Sequence, residues 1–220
     1  MKEFEKNVVS IIAGEVSSYL INNDPKIPYW KGNNGNWNDM VGFRSGISIK
    51  IEKSKRKIEK NEQYKAILNW GGIRGFKAYD RIPLSIIKIE KDIVEVDTYS
   101  RISSMSKIFS FYKPSQYFIL DSRVSLVINI ILDRNKIKNN YIHFPPYRAA
   151  GKIVKIGLEK YKSMPSQFSN MGETYLAYNK LILDVFKKIG KLPNGYINKP
   201  EIVEMVLFTM VESISKKNKL

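Results

Sequence analysis

The chain has 220 residues, enough for a domain that buries its own core, and 43% of them are hydrophobic, which excludes a disordered chain. The lack of cysteine excludes disulfides, thiolate metal sites and cysteine nucleophiles, and a single histidine, His143, excludes a histidine-rich metal site. The net charge is +16, because 37 lysines and arginines face 21 acidic residues. This surplus points first to nucleic acid as a partner, with an anionic membrane surface or a plain basic surface as alternatives.

The first third of the chain predicts two helices and a loop. Glu3 to Asn22 carries apolar residues at helical spacing, and Asn22 to Gly46 is rich in asparagine, glycine and aromatic residues, which is typical of a loop. From Ile47 the pattern begins with strand-like alternation and continues as a charged helix that ends at Trp70, where two glycines stop it. The acidic N-terminus is unlike a signal peptide, and no apolar run reaches the ~18 residues of a membrane span, so we expect a cytoplasmic protein with no membrane partner.

The remainder of the chain predicts one strand followed by helices. Alternation over Ile86 to Val96 favours a strand, while the charge spacing also tolerates a helix, and the chain reads as helical from Arg101 onward. Met171 to Ile189 predicts a helix closed by a glycine, and the last helix is expected to begin near Pro200, capped by Asn198. We therefore predict a mainly α fold, with room for a small early β element, in a single domain 1–220 of two helical lobes, the central lobe spanning about 65–135.

One segment carries a family resemblance. "SSMSKIFSFYKPSQYFILDSRVSLVIN" has a helix rich in small residues over Ser104 to Ser110, a loop, and the apolar run Phe118 to Leu120. Asp121 then begins a strongly apolar helix with Val124 three residues later. This order resembles the signature of the helix-hairpin-helix DNA glycosylase superfamily, and the chain is similar to bacterial 8-oxoguanine-glycosylase-like proteins. The resemblance covers about thirty residues. It implies a two-lobed helical fold that excises bases from double-stranded DNA without a cofactor, with Asp121 as the catalytic carboxylate.

The segment also departs from the family pattern at two places. The family hairpin reads glycine-apolar-glycine, whereas the corresponding stretch near Thr98 to Ser103 has no glycine. Bifunctional members carry a Schiff-base lysine eighteen or nineteen residues before the aspartate, where this chain has Ser103 and Ile102. Lys107 lies in the same helix but more than a turn away. The resemblance therefore implies a monofunctional enzyme in which water is the nucleophile.

The chemistry of base excision gives an independent reason to consider Asp121. Breaking an N-glycosidic bond develops positive charge on the sugar, which a carboxylate in a pocket of low dielectric stabilises while it orients or deprotonates water. A helix N-terminus helps keep such a carboxylate ionised. The alternative is an ordinary helix N-cap, since aspartate is among the favoured capping residues. Both interpretations stay open.

Several other residues are candidates for binding DNA. Trp70, before paired glycines, and Trp37, in an asparagine-rich loop, are candidates for holding a flipped base, with the structural alternative that Trp70 belongs to the core. The charged run Lys50 to Lys65 is more typical of a solvated helix face, and we expect Glu204 to face solvent, the alternative being a second buried carboxylate. The candidate DNA contacts are Arg74, Arg101, Lys107, Arg123, His143, Arg148 and Lys152.

The predicted function is the excision of a damaged or modified base by an Asp121-assisted hydrolysis, carried out by a monomer without metal or cofactor. The first alternative is a non-catalytic nucleic-acid-binding protein of the same fold, acting in phage defence. A nuclease is the weaker alternative, because "DIVEVD" alone does not supply a carboxylate cluster with a lysine at the spacing of a metal site.

Overall fold

The computed structural model describes residues 4–23, 36–73, 76–77, 79–92, 101–138, 141–142, 152–161 and 164–217. Within these ranges the chain forms nine α-helices, a short 3-10 turn before the fourth, and no β-strand. The helices are α1 (Lys6–Ile21), α2 (Trp37–Lys53), α3 (Lys57–Trp70), α4 (Ile82–Glu90), α5 (Ile102–Tyr112), α6 (Ser122–Arg134), α7 (Lys152–Tyr161), α8 (Met171–Ile189) and α9 (Glu201–Lys217). The prediction of a mainly α fold is confirmed. No helix among the described residues is both long enough and apolar enough to cross a bilayer.

The two strand predictions are wrong where the structure describes the chain. The alternating residues from Ile47 belong to α2, whose buried side chains recur every three or four residues while Ile49 between them is 50% exposed. In α4, Ile82, Ile86 and Ile89 are buried at helical spacing and Ile87 faces out. Isoleucine-rich runs fit both periods, and the helical one is realised because it gives each helix a single buried face.

Helix α6 is the centre of the core. Its residues from Val124 to Leu132 are all buried, and α1, α7 and α9 pack around it. A helix segment that is buried on every side, polar Ser125 and Asn129 included, lies in the interior of the fold. Helix α7 approaches α6 closely at Gly157, where a Cβ atom would lie 2.2 Å from Cδ1 of Leu126. Asp121, the N-cap of α6, is therefore attached to a helix that is held in place at the centre of the core.

The predicted helix ends are correct in one case and partly wrong in the other. Helix α8 spans Met171–Ile189 and is followed by Gly190 with φ of +78°, as predicted for a glycine stop. Helix α9 begins at Glu201, directly after Pro200. Asn198 does not cap it, because its side-chain oxygen accepts instead from the backbone N–H of Leu192 at 3.3 Å, within the preceding loop.

Candidate functional site

The apolar run 118–120 fixes the position of Asp121. Its first amide N–H donates to Oδ1 of Asn179 at 2.9 Å, and its middle carbonyl accepts from the hydroxyl of Tyr178 at 2.9 Å. Its last amide N–H donates to Oγ of Ser106 at 3.2 Å. The small-residue helix α5 and helix α8 thus satisfy the backbone of a buried segment that has no regular secondary structure. The residue that follows the run enters α6 from a rigid support.

Asp121 is the N-cap of α6. Its Oδ1 accepts from the backbone N–H groups of Arg123 at 2.9 Å and Val124 at 3.1 Å, and the side chain is half-buried. The capping interpretation is confirmed, while the catalytic one stays a prediction. Both bonds end on the same oxygen, so the cap leaves Oδ2 for other partners. The N-terminus of α6 places the positive end of the helix dipole at this carboxylate.

Lys107 lies near enough to this cap for the Asp121 carboxylate to act on its amine. It is half-buried on α5, and its Nζ donates to the carbonyl oxygen of Ser103 at 2.8 Å. Its aliphatic stem passes over Gly71, the residue that ends α3, so closely that a Cβ atom there would lie 2.4 Å from Cδ of Lys107. The glycine predicted as a helix stop therefore has a second role, since it makes room for the lysine.

The ionisation of Lys107 depends on several neighbours. Burial lowers the pKa of its amine, the carboxylates of Asp121 and Glu204 oppose that shift, and the guanidinium groups of Arg123 and Arg44 add to it. Lys107, Asp121 and Arg123 thus share one electrostatic environment. A lowered pKa gives the amine a larger neutral fraction near pH 7 than a surface lysine has, and a neutral amine can act as a base or a nucleophile.

A buried ion pair joins α2 to α9 near the candidate site. Arg44 of α2 donates to Glu204 of α9 through both terminal nitrogens, at 2.5 and 3.2 Å, and the side chains are 1% and 3% exposed. The Arg44 guanidinium also lies 5.8 Å from the ring centroid of Phe111. The prediction that Glu204 faces solvent is wrong, because its side chain is buried. The positive charge of Arg44 offsets the cost of burying this carboxylate. Sequence reasoning missed Arg44, although it falls on the apolar stripe of α2.

The two tryptophans predicted to hold a base lie in different surroundings. Trp70 ends α3, is half-buried, and packs against Phe111 at 5.1 Å and Phe43 at 6.4 Å between ring centroids. Its chain neighbour is the glycine under Lys107, so it lies next to the candidate site. Trp37 begins α2, is 3% exposed, and meets the ring of Tyr196 edge-on at 5.8 Å. A ring so enclosed is a core residue in this conformation.

Only some of the predicted DNA contacts fall on described side chains. Arg123 is half-buried, with its guanidinium 4.8 Å from the ring centroid of Phe208, and Arg101 is exposed just before α5, 5.9 Å from the ring centroid of Phe76. Lys152 begins α7, but its side chain is outside the described set. Arg74, His143 and Arg148 lie outside the described residues, as does the first half (98–100) of the stretch from Thr98 to Ser103 that replaces the family hairpin.

The remaining sequence predictions concern the charged run and metal binding. The lysines of the Lys50 to Lys65 run are mostly exposed on α2 and α3, which confirms the solvated helix face. The described residues contain no group of three or more His, Asp or Glu side chains that could hold a metal ion.

Comparison of the chain with protein-family models, with curated proteins and with solved structures found no match in any of the three.

Proposed function

We propose that this protein binds DNA, takes a damaged or modified base out of the duplex and hydrolyses its N-glycosidic bond with the help of Asp121. The observation that carries the proposal is the position of Asp121. Its carboxylate is half-buried at the N-terminus of a fixed central helix, uses one oxygen for the cap, and shares its surroundings with the lysine of lowered pKa. A carboxylate held in this way can stabilise positive charge without reorganising.

The reaction needs two contributions from such a carboxylate. As the bond from C1′ to the base nitrogen breaks, its electron pair leaves with the base and the sugar becomes positively charged. The negative charge of Asp121 stabilises that sugar. The oxygen not engaged in the cap can accept a proton from the attacking water, whose oxygen then forms the new bond to C1′.

The charge of the protein supports a polyanionic substrate. The chain carries a net charge of +16, and Arg123 and Lys107 lie within the electrostatic surroundings of Asp121. Cations that neutralise phosphates make DNA binding steeply dependent on salt. Affinity for duplex DNA is therefore expected to fall by orders of magnitude when salt is raised from 50 to 200 mM, if about six or more phosphates are contacted.

Lys107 favours a second candidate for the nucleophile. Its burial lowers the pKa of the amine, and its Nζ is held by a single described bond to Ser103. In this alternative the neutral amine, and not water, attacks C1′, and the product is a covalent imine that leads to strand cleavage. The two candidates differ in their products and can be separated by experiment.

The test is a panel of duplexes that each contain one modified base, scored for abasic sites with and without alkaline treatment. Hydrolysis by water gives strand breaks only after alkali, whereas attack by Lys107 gives breaks without it and a product that borohydride traps on the protein. The Asp121→Asn protein should bind the same duplexes but release the base about 10²–10³-fold more slowly, since asparagine preserves the cap and removes only the charge. Binding with no release from any duplex would favour a non-catalytic nucleic-acid-binding protein.

A further inference from the structure

Glu201 is a buried acid with no hydrogen-bond partner on any other described residue. It is the first residue of α9 and is 0% exposed, and neither carboxylate oxygen bonds to another described residue. An ionised carboxylate in such surroundings is costly, and a buried acid avoids that cost by keeping its proton. The feature requires an explanation, because buried polar groups in folded proteins are nearly always bonded.

The charged groups around Glu201 explain why it has no partner. Glu204 lies one turn further along α9 and takes both terminal nitrogens of Arg44 from α2. Lys199, half-buried in the preceding loop, is the other cation that acts on Glu201. Burial raises the pKa of Glu201, its own backbone N–H together with Arg44 and Lys199 opposes the shift, and Glu204 adds to it. One guanidinium therefore pairs with one buried carboxylate, Glu204, and acts electrostatically on a second, Glu201.

Two further groups connect this pair to its surroundings. Tyr178 of α8, whose hydroxyl holds the run before Asp121, has its pKa raised by burial first and by the charge of Glu204 second. Lys107 of α5 is also under the influence of Glu204 and Arg44. A change in the charge of the groups around Arg44 would therefore change the electrostatic surroundings of Lys107 and of the Tyr178 hydroxyl.

We propose that Glu201 is a proton-operated switch between α2 and α9. With its proton bound, the acid is neutral and does not compete with Glu204 for Arg44, and the Arg44–Glu204 pair keeps the start of α9 docked on α2. When the proton leaves, two carboxylates one turn apart compete for one guanidinium, and the docked state weakens. This inference does not depend on the proposed base excision.

The direction of the pH effect follows from the raised pKa. A group that binds its proton more tightly in the folded state contributes its stability fully below its unfolded pKa, which is 4.5 for an ordinary glutamate such as Glu201 in the unfolded chain, and loses it as the pH rises through the folded pKa. Between those two values the unfolding equilibrium constant should rise about tenfold per pH unit on account of this one residue.

The experiment compares urea unfolding of the wild-type protein and the Glu201→Gln protein from pH 4 to pH 9. Glutamine has nearly the same shape and is neutral throughout, so the ratio of the two unfolding constants should grow with pH, with Glu201→Gln the more stable protein at pH 9. The control is Glu62→Gln on α3, an exposed acid, which should give a ratio independent of pH. A Glu201→Gln protein that is less stable than wild type at every pH would overturn the proposal, as would a constant ratio.

A second variant tests whether Arg44 is the shared cation. In Glu204→Gln the guanidinium loses its described carboxylate partner, and Glu201 remains as a buried carboxylate whose charge it can offset. The effect of Glu201 on stability should then reverse. The free energy of unfolding of Glu204→Gln should exceed that of the double variant Glu201→Gln/Glu204→Gln at pH values above the pKa of Glu201, and this advantage should disappear as the pH falls. If Glu201 still destabilises the Glu204→Gln protein at high pH, Arg44 is not shared and the switch is disproved.

Discussion

The two ends of α6 carry the same residue type in different surroundings. At the C-terminal end, Asp133 accepts from Nζ of Lys160 at 2.9 Å and from the hydroxyls of Tyr161 at 3.1 Å and Tyr141 at 3.4 Å. At the N-terminal end, the cap uses one oxygen of Asp121, and the nearby amine of Lys107 bonds elsewhere. A carboxylate whose two oxygens are both bonded by side chains is suited to joining elements. One that keeps an oxygen for other partners beside a poorly solvated lysine is suited to chemistry.

Asp133 shows what a joining carboxylate does. Its partners come from the segment before α7 and from α7 itself, so one side chain ties both to α6. Asn129, one turn earlier, adds two bonds to the backbone of Ile142, at 3.0 and 2.8 Å. The C-terminal half of α6 is therefore an attachment point, whereas the N-terminal residue contacts the candidate site.

The largest expected effect is at the N-terminal end. Replacing Asp121 by asparagine should lower base release by about 10²–10³-fold, the loss typical when one preorganised group that stabilises charge is removed. The measurement is the single-turnover rate of base release from a duplex on which the wild-type protein is active. The same substitution at Asp133 is the matched control and should leave the rate within a few-fold. Equal rates for wild type and Asp121→Asn would make Asp121 a cap alone.

The next effect is on stability and belongs to the C-terminal end. Asp133→Asn should lower the free energy of unfolding by about 1–2 kcal/mol, because hydrogen bonds to a charged group weaken while partial exposure screens the loss. Burial raises the pKa of the Asp133 carboxyl, but the hydrogen bonds from Lys160 and Tyr161 outweigh burial, so this pKa stays below its usual value.

That lowered pKa fixes the pH dependence of the Asp133 effect. The wild-type advantage should be complete above pH 3.8 and should disappear as the pH falls through the folded pKa. Urea unfolding at neutral and acid pH checks the sign. An advantage that grew in acid would contradict the assignment of Asp133 as a joining carboxylate.

The smallest effect on stability is expected at Gly71. Its φ is −73°, which alanine adopts freely, and the atom that a Cβ would meet is on the flexible stem of Lys107. Gly71→Ala should therefore change the free energy of unfolding by less than about 1 kcal/mol. It should nevertheless displace the lysine and alter base release.

The neighbouring glycine provides the control for that substitution. Gly72 has φ of +71° and nothing near its Cβ position, so Gly72→Ala should strain the backbone and leave Lys107 in place. Unfolding and base release measured on both variants separate the two effects. If Gly71→Ala leaves the rate unchanged, the position of Lys107 is not important for the reaction.

Local signals in the sequence were sufficient for part of the site. The cap at Asp121, the stop at Trp70 with its glycines, and the end of α8 at Gly190 depend on residues a few positions apart, and all were predictable. The strand predictions failed for α2 and α4 because isoleucine-rich runs satisfy two periods and only tertiary burial selects one.

Long-range charge pairing was not predictable in the same way. Arg44 and Glu204 are separated by 160 positions, and a single sequence holds no information about which buried acid meets which buried base. The proximity of Lys107 to Asp121 depends on the fold of the loop between α5 and α6 and on a glycine from α3. Base excision itself and the resemblance to helix-hairpin-helix glycosylases remain predictions.

The attachment of the run 118–120 to two helices has a mechanical consequence. Helix α8 holds its first two residues and α5 holds its third, so the three-residue run joins both helices to the cap of α6. A movement of α5 relative to α8, caused by a ligand or by a bent duplex, would therefore change the position and orientation of the Asp121 carboxylate.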